Sequence, residues 1–514
     1  MSSHDFVQKL ARMSSGIPGL DRVLAGGLFD GGVYIVEGMP GAGKTILANQ
    51  ICFHQVKSGR RVIYITLLAE SHARLLQHLQ SLTFFDPSVI PDRLTYVSGF
   101  RVLEEGGLQA LLDLVRKEMR AQGATLVVLD GFAAVGETAA TDRDFKKFVH
   151  ELQVFASLAS CTFFLLSSGS ASDHVVVAPV HTMVDGLVRL TDHAFGARSQ
   201  RELHVQKFRG SRYLRGVHSF EISDDGITVY PRLESFSADL ADASGTDRLS
   251  TGIAGLDAMM HGGLRRGSTT MLLGPTGVGK TLFGYRFLSC SRPNEKGVLF
   301  SFYETPKSTI AKAYGIGVDL VARCQQGHLD LVWQSPVESS LDGIGSRILD
   351  AVDRSSAARL FIDGFDAFQN ASAYPERVPQ FFAALSRELH ARGVTTMHSA
   401  ELRAILAPQV EAPVRGISPL LDNLVLVRFV EDENQMRRAV AVLKMRDSSF
   451  DATLRELIID DNGIRVGDVF GRATTESATT PKAAAPKAGK TKNASARFQR
   501  KTPPRKAAST RRRG

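Results

Sequence analysis

The sequence predicts an α/β chain of two tandem domains, each a parallel sheet covered by helices on both faces, followed by a basic tail. Three observations carry this. Residues 12–45 and 248–281 align without a gap and are identical at 16 of 34 positions. Both stretches end in G-x-x-x-x-G-K-[ST], as Gly38-Met39-Pro40-Gly41-Ala42-Gly43-Lys44-Thr45 and Gly274-Pro275-Thr276-Gly277-Val278-Gly279-Lys280-Thr281. Short β-branched, apolar runs alternate with helical stretches through each copy, as expected of strands buried on both faces and joined by helices.

The elements follow in order. Residues 33–36 form the strand entering the first loop, and a helix starts at Thr45 with its N-terminus facing that loop. Residues 61–66, 125–129, 162–166 and 187–190 read as further strands. The second copy offers 269–273, 298–302, 359–362, 394–397 and 424–427. Near the end of each copy, residues 203–209 and 440–446 alternate in polarity and suit an antiparallel extension. A repeat of about 230 residues is too long for a solenoid unit and marks a duplicated domain. The join falls in 235–247, where Ala, Ser, Asp and Gly replace the strand pattern. The expected domains are therefore 1–239 and 240–470, with a tail at 471–514.

Hydrophobic content of 43% and charged content of 22% are those of a soluble globular protein. No run of 18 apolar residues occurs, so no membrane partner is expected. The start lacks the basic-then-apolar layout of a secretory signal. The four cysteines, Cys52, Cys161, Cys290 and Cys324, lack metal-site spacing and lie in or beside apolar stretches. They read as buried free thiols, which points to the cytoplasm. The net charge of +9 is unevenly placed. From Arg472 onward there are thirteen Lys/Arg against Glu476 alone, which leaves 49 basic and 52 acidic residues in the body.

Each loop carries the parts of a nucleotide site. Gly38, Gly41 and Gly43, and Gly274, Gly277 and Gly279, let backbone N–H groups turn around phosphates, with Ala42 and Val278 completing the loops. Lys44 and Lys280 would bridge phosphates, and Thr45 and Thr281 would hold Mg2+. The cofactors expected are ATP and Mg2+. The strand-ending Asp130 and Asp363 would complete the metal site; an ordinary strand-ending aspartate that caps the next helix is the alternative reading. Hydrolysis needs a group that orients water. Glu70 and Glu304 follow the strand after each loop's helix, and a solvated glutamate is the alternative at both places. Lys207 with Arg209, and Lys444 with Arg446, lie two apart on strands, so each pair shares a face suited to a γ-phosphate. A solvated strand edge is the other reading.

Together these residues resemble the KaiC family of RecA-like ATPases over about residues 8–470. The resemblance rests on G-x-x-G-L-D and G-G-L before each loop, the loops themselves, the strand-ending aspartates and the paired K-x-R motifs. It implies two RecA-like P-loop domains, a double-doughnut homo-hexamer and ATP bound between neighbouring subunits. Lys207, Arg209, Lys444 and Arg446 would act on the neighbour's ATP. The family hydrolyses ATP slowly, and its clock members phosphorylate themselves on adjacent Ser and Thr in the second domain.

Three departures stand out. Where the family shows two adjacent glutamates, with the first as base, this chain has Ala69-Glu70 and Tyr303-Glu304. The phosphorylation pair reads Ser418-Pro419, so only a single-site autokinase is expected; Ser418 also reads as a turn serine before proline. The basic tail has no counterpart of the clock proteins' activator-binding peptide, so a KaiA partner is unsupported. With Phe498 as its only large apolar residue, the tail is expected to be disordered. It resembles histone-like bacterial tails and suits nucleic-acid phosphates or an acidic protein.

The expected function is a KaiC-like ATPase of two tandem domains, with serine autophosphorylation at Ser418 as a secondary activity. A RecA-like DNA-dependent ATPase is one alternative. An ATP-assembled scaffold that does not hydrolyse is another.

Overall fold

Strands that the sequence marks by apolar runs form, in the computed structural model, two nine-stranded sheets, one in each copy. The structure describes residues 11–69, 72–169, 179–236, 247–337, 339–402, 416–432, 434–446, 448–461 and 463–470. The tail, Glu70, Asp447 and most of the expected join lie outside the described residues.

The first sheet comprises β1 (Val33–Gly38), β2 (Val62–Thr66), β3 (Leu94–Ser98), β4 (Leu126–Asp130), β5 (Thr162–Ser168), β6 (Gly186–Phe195), β7 (Arg198–Phe208), β8 (Val217–Ser223) and β9 (Gly226–Tyr230). Their order is β9-β8-β7-β6-β1-β5-β4-β2-β3. The six strands from β6 to β3 run parallel, and the β6–β9 meander is antiparallel. The second sheet repeats this as β10 (Thr269–Gly274), β11 (Lys296–Ser301), β12 (Leu329–Trp333), β13 (Ala357–Asp363), β14 (Thr395–Glu401), β15 (Asn423–Asp432), β16 (Gln435–Met445), β17 (Arg455–Asp460) and β18 (Gly463–Val469). Its order is β12-β11-β13-β14-β10-β15-β16-β17-β18. Each strand read from the sequence is present, and 203–209 and 440–446 fall in or beside the antiparallel β7 and β16.

Burial follows the two-residue period of a strand covered on both faces. Tyr34 and Val36 enter one hydrophobic cluster while Val33 and Ile35 enter the cluster on the opposite face. Met271 and Leu273 are likewise separated from Leu272. The faces are covered by helices that include α1 (Lys44–Lys57), α2 (Asp142–Ala159), α3 (Lys280–Ser289), α4 (Leu341–Ser355) and α5 (Val378–Ala391). Thr141 and Ser340 start α2 and α4 by accepting a backbone N–H from Asp144 and Gly343, the N-cap role of a hydroxyl. All four cysteines are free, but only Cys52 and Cys161 are buried. Cys290 and Cys324 are partly exposed, because Cys290 caps the short α3 and Cys324 lies in the last turn of a surface helix.

The two copies belong to one compact unit ending at Phe470. Polar groups join them. Arg377 of the second copy pairs with Glu234 of the first at 2.8 Å and with its own Asp342 at 2.8 Å. Arg347 reaches Glu221 at 3.0 Å, and the Tyr374 hydroxyl donates to Glu202 at 3.0 Å.

Candidate active site

The P-loop strands β1 and β10 end where a parallel sheet of this order opens a crevice at the strands' C-terminal ends. Gly43 and Gly279 are the N-caps of α1 and α3, with φ of 98° and 109°. Only glycine adopts that conformation readily, and a Cβ at Gly279 would also lie 2.5 Å from Ile459. The first-turn N–H groups of both helices therefore face the loop, with no acidic residue in the first turn. Ala42 and Val278 are buried and anchor the loops from beneath.

Lys44 Nζ donates to the carbonyls of Gly38 at 2.7 Å and Met39 at 3.0 Å. Lys280 does the same to Gly274 at 2.7 Å and Pro275 at 2.9 Å. Burial lowers the pKa of each lysine. Asp130 opposes this at Lys44, and Glu401, Asp363 and Asp366 oppose it at Lys280. The ammonium groups are thus held over the loop, where phosphate oxygens would replace carbonyls.

Asp130 ends β4 and accepts from the Thr45 hydroxyl at 3.2 Å and the Tyr64 hydroxyl at 2.6 Å. Asp363 ends β13 and accepts from Thr281 at 3.1 Å and Ser399 at 2.5 Å. Burial raises both carboxyl pKa values, against the pull of those hydrogen bonds. A hydroxyl and a desolvated carboxylate side by side form an oxygen donor set of the kind Mg2+ takes, with phosphates and waters completing the shell. Thr45 with Asp130, and Thr281 with Asp363, therefore fit the metal.

Residues 13–234 and 249–469 each match the model of the KaiC ATPase. The chain belongs to the KaiC family. Its two domains are nucleotide-binding P-loop ATPase domains. The chain is 26% identical to the circadian clock oscillator protein KaiC of Picosynechococcus sp., over 91% of its own length and 92% of that protein. With the KaiC of Synechococcus elongatus it shares 26% identity over 90% of each chain. With that of Rippkaea orientalis it shares 25%, again over 90% of each.

The remaining predicted residues of this KaiC-family chain divide into two groups. Glu304 accepts from the Tyr285 hydroxyl at 3.2 Å and forms an ion pair with Lys312. Beside it, Tyr303 is exposed. The K-x-R pairs lie elsewhere. Lys207 donates to the carbonyls of His181 and Thr182, and Arg209 to those of Thr182 and Met183, so both grip one short turn. Lys444 donates to Ser418 and Leu421, and Arg446 to Pro419, around the turn Ser418–Leu420. Ser418 is exposed in that turn.

These turns sit at the strand starts. Asp185 accepts the N–H of Val33 and Asp422 that of Thr269. Val33 and Thr269 each stand five residues, roughly 17 Å of strand, before the glycine that opens the P-loop. Sequence reasoning missed Tyr64, Tyr285 and Ser399, which hold the acidic groups, and Glu401. The rule that found Asp363, a carboxylate ending an apolar strand, would also have found Glu401.

Proposed function

We propose that this protein assembles as a homo-hexamer, binds Mg-ATP at both P-loops and hydrolyses it slowly between neighbouring subunits. One observation carries the reading: both K-x-R pairs stand at the strand-start end of the sheet, opposite the end that carries their own P-loop. Cations so placed serve a nucleotide only when a neighbour presents it, as in a ring of head-to-tail contacts. Lys44, Thr45 and Asp130, and Lys280, Thr281 and Asp363, hold the triphosphate and its metal. Mg2+ held by Thr45 with Asp130, or by Thr281 with Asp363, would offset phosphate charge during transfer. Glu70 and Glu304 are the carboxylates that the sequence alone offers for orienting the water.

Ser418 is the autophosphorylation candidate. It is exposed in the turn whose carbonyls Lys444 and Arg446 hold, far from its own P-loop, so a phosphate would reach it from a neighbour's ATP rather than its own. The free thiols accord with a cytoplasmic setting, and among the described residues no helix is long and apolar enough to cross a membrane. The thirteen basic tail residues offer nucleic acid or an acidic protein a non-specific contact, multiplied sixfold in a hexamer. The pairing of Glu304 with Lys312 favours a second reading, an ATP-assembled scaffold without turnover.

Sedimentation, phosphate release and intact mass on ATP-incubated samples separate these. Lys44→Ala with Lys280→Ala is expected to abolish nucleotide-dependent assembly and phosphate release. Ser418→Ala is expected to lose one phosphate in mass while hydrolysis continues. ATP-dependent hexamers that release no phosphate would establish the scaffold. Removal of residues 471–514 is expected to abolish salt-sensitive DNA binding and leave hydrolysis intact; hydrolysis stimulated by DNA without the tail would favour the DNA-dependent motor.

A further inference from the structure

The second P-loop has a carboxylate neighbour at a position where the first copy has a serine. β14 lies between β10, which leads into the loop, and β13, which ends in Asp363. Its last residue is Glu401, in register with Gly274. Glu401 is exposed at the C-terminal ends of the strands, on the ligand side of such a sheet. Its Oε1 accepts from the hydroxyl of Thr276, the third residue of the loop. Its charge is the foremost of those acting on Lys280, and it also acts on the Tyr303 hydroxyl. The carboxylate therefore stands over the phosphate end of the site.

The first copy has neither partner. Pro40 occupies the place of Thr276, and Ser168, in register with Gly38, occupies that of Glu401. In the second copy the two are joined by a hydrogen bond. Glu304 is differently employed. Tyr285 and Lys312 engage its oxygens, whereas Glu401 is held from the loop itself.

We propose that Glu401 orients and deprotonates the water that attacks the γ-phosphate bound at the second P-loop, with Thr276 fixing the carboxylate. The assignment rests on the hydrolytic reading above. In the step, the water oxygen bonds to the γ-phosphorus as the bond to the β–γ bridging oxygen breaks. The electron pair of that bond leaves on ADP. The water's proton passes to Glu401 and then to solvent, giving ADP, inorganic phosphate and a proton. A carboxylate here also repels the γ-phosphate, so a neutral replacement should bind ATP at least as tightly while turning over more slowly. A merely structural role would not produce that split.

The test uses the full-length protein and measures phosphate release and binding of a fluorescent ATP analogue. Wild type is compared with Lys280→Ala, Glu401→Gln, Thr276→Val and Glu304→Gln. The release lost in Lys280→Ala defines the share of the second site. Glu401→Gln is expected to lower that share about a hundredfold or more, with KM unchanged or reduced. Thr276→Val is expected to lower it less, in the same direction, and carries the test alone should Glu401→Gln misfold. Wild-type turnover in Glu401→Gln, or a raised KM with unchanged kcat, would overturn the assignment and leave the hydrolytic reading standing. No Lys280-dependent release in wild type would overturn both.

Discussion

Replacing Arg446 by alanine is expected to cut Lys280-dependent phosphate release about a thousandfold or more, and the loss is expected to recover when a second variant is mixed in. The guanidinium now lies 3.6 Å from Asp422 and donates to the Pro419 carbonyl, with half of its side chain exposed. An exposed pair of this kind is worth no more than about 1 kcal/mol. A charge placed on a transferring phosphoryl group is worth about 4–7 kcal/mol. Release from Asp422 therefore costs little against what a neighbour's nucleotide offers. Subunits with Arg446→Ala keep their P-loops, and subunits with Lys280→Ala keep their cations. Each alone should be inactive at the second site. Mixed rings contain interfaces where an intact loop meets an intact arginine, in roughly a quarter of cases for random mixing around a ring. Phosphate release from mixtures re-formed with ATP should then exceed both parents. A mixture no more active than its parents would place Arg446 outside its neighbour's site. Arg446→Lys should recover only part of the rate, since an ammonium lacks the forked geometry.

What the sequence disclosed about this site was what is local. The loops, the helix behind each loop and the aspartates ending β4 and β13 are contiguous patterns, and each stands where the strand order brings it to one crevice. The K-x-R pairs were recognisable as cations sharing a face, but their distance from their own loop depends on parallel pairing of β10 with β15 and antiparallel pairing of β15 with β16. Thr276 and Glu401 are 125 residues apart, so nothing short-range joins them. The edge strands β3 and β12 were missed because polar residues interrupt the short runs Leu-Thr-Tyr-Val-Ser and Leu-Asp-Leu-Val-Trp, both only partly buried as edges are. Glu70 lies outside the described residues. The contacts between copies were hidden for a further reason: Arg377, Asp342 and Glu234 are polar residues that read as solvated surface until packing buries them.

That burial makes Arg377 the residue whose loss should cost most stability. Its side chain is 17% exposed and that of Asp342 only 1%. Burial raises the Asp342 carboxyl pKa, and the charge of Arg377 opposes the rise. Arg377→Met removes the counter-ion and leaves a carboxylate in the interior, at an expected cost of about 3–5 kcal/mol. Arg377→Met with Asp342→Asn should cost less than the single change, because no charge is then stranded. The sign with pH follows from the raised carboxyl pKa. Below the unfolded value near 4, Asp342 is protonated in both states and the stranded charge disappears. As pH rises above about 4, the unfolded chain ionises while the folded site resists, so the deficit of Arg377→Met grows toward neutrality. Trp333, the only tryptophan, lies half-exposed on β12 of the second copy and reports its unfolding in urea. A deficit independent of pH, or a double variant less stable than Arg377→Met, would mean that Arg377 acts through packing and through Glu234 rather than through the buried charge.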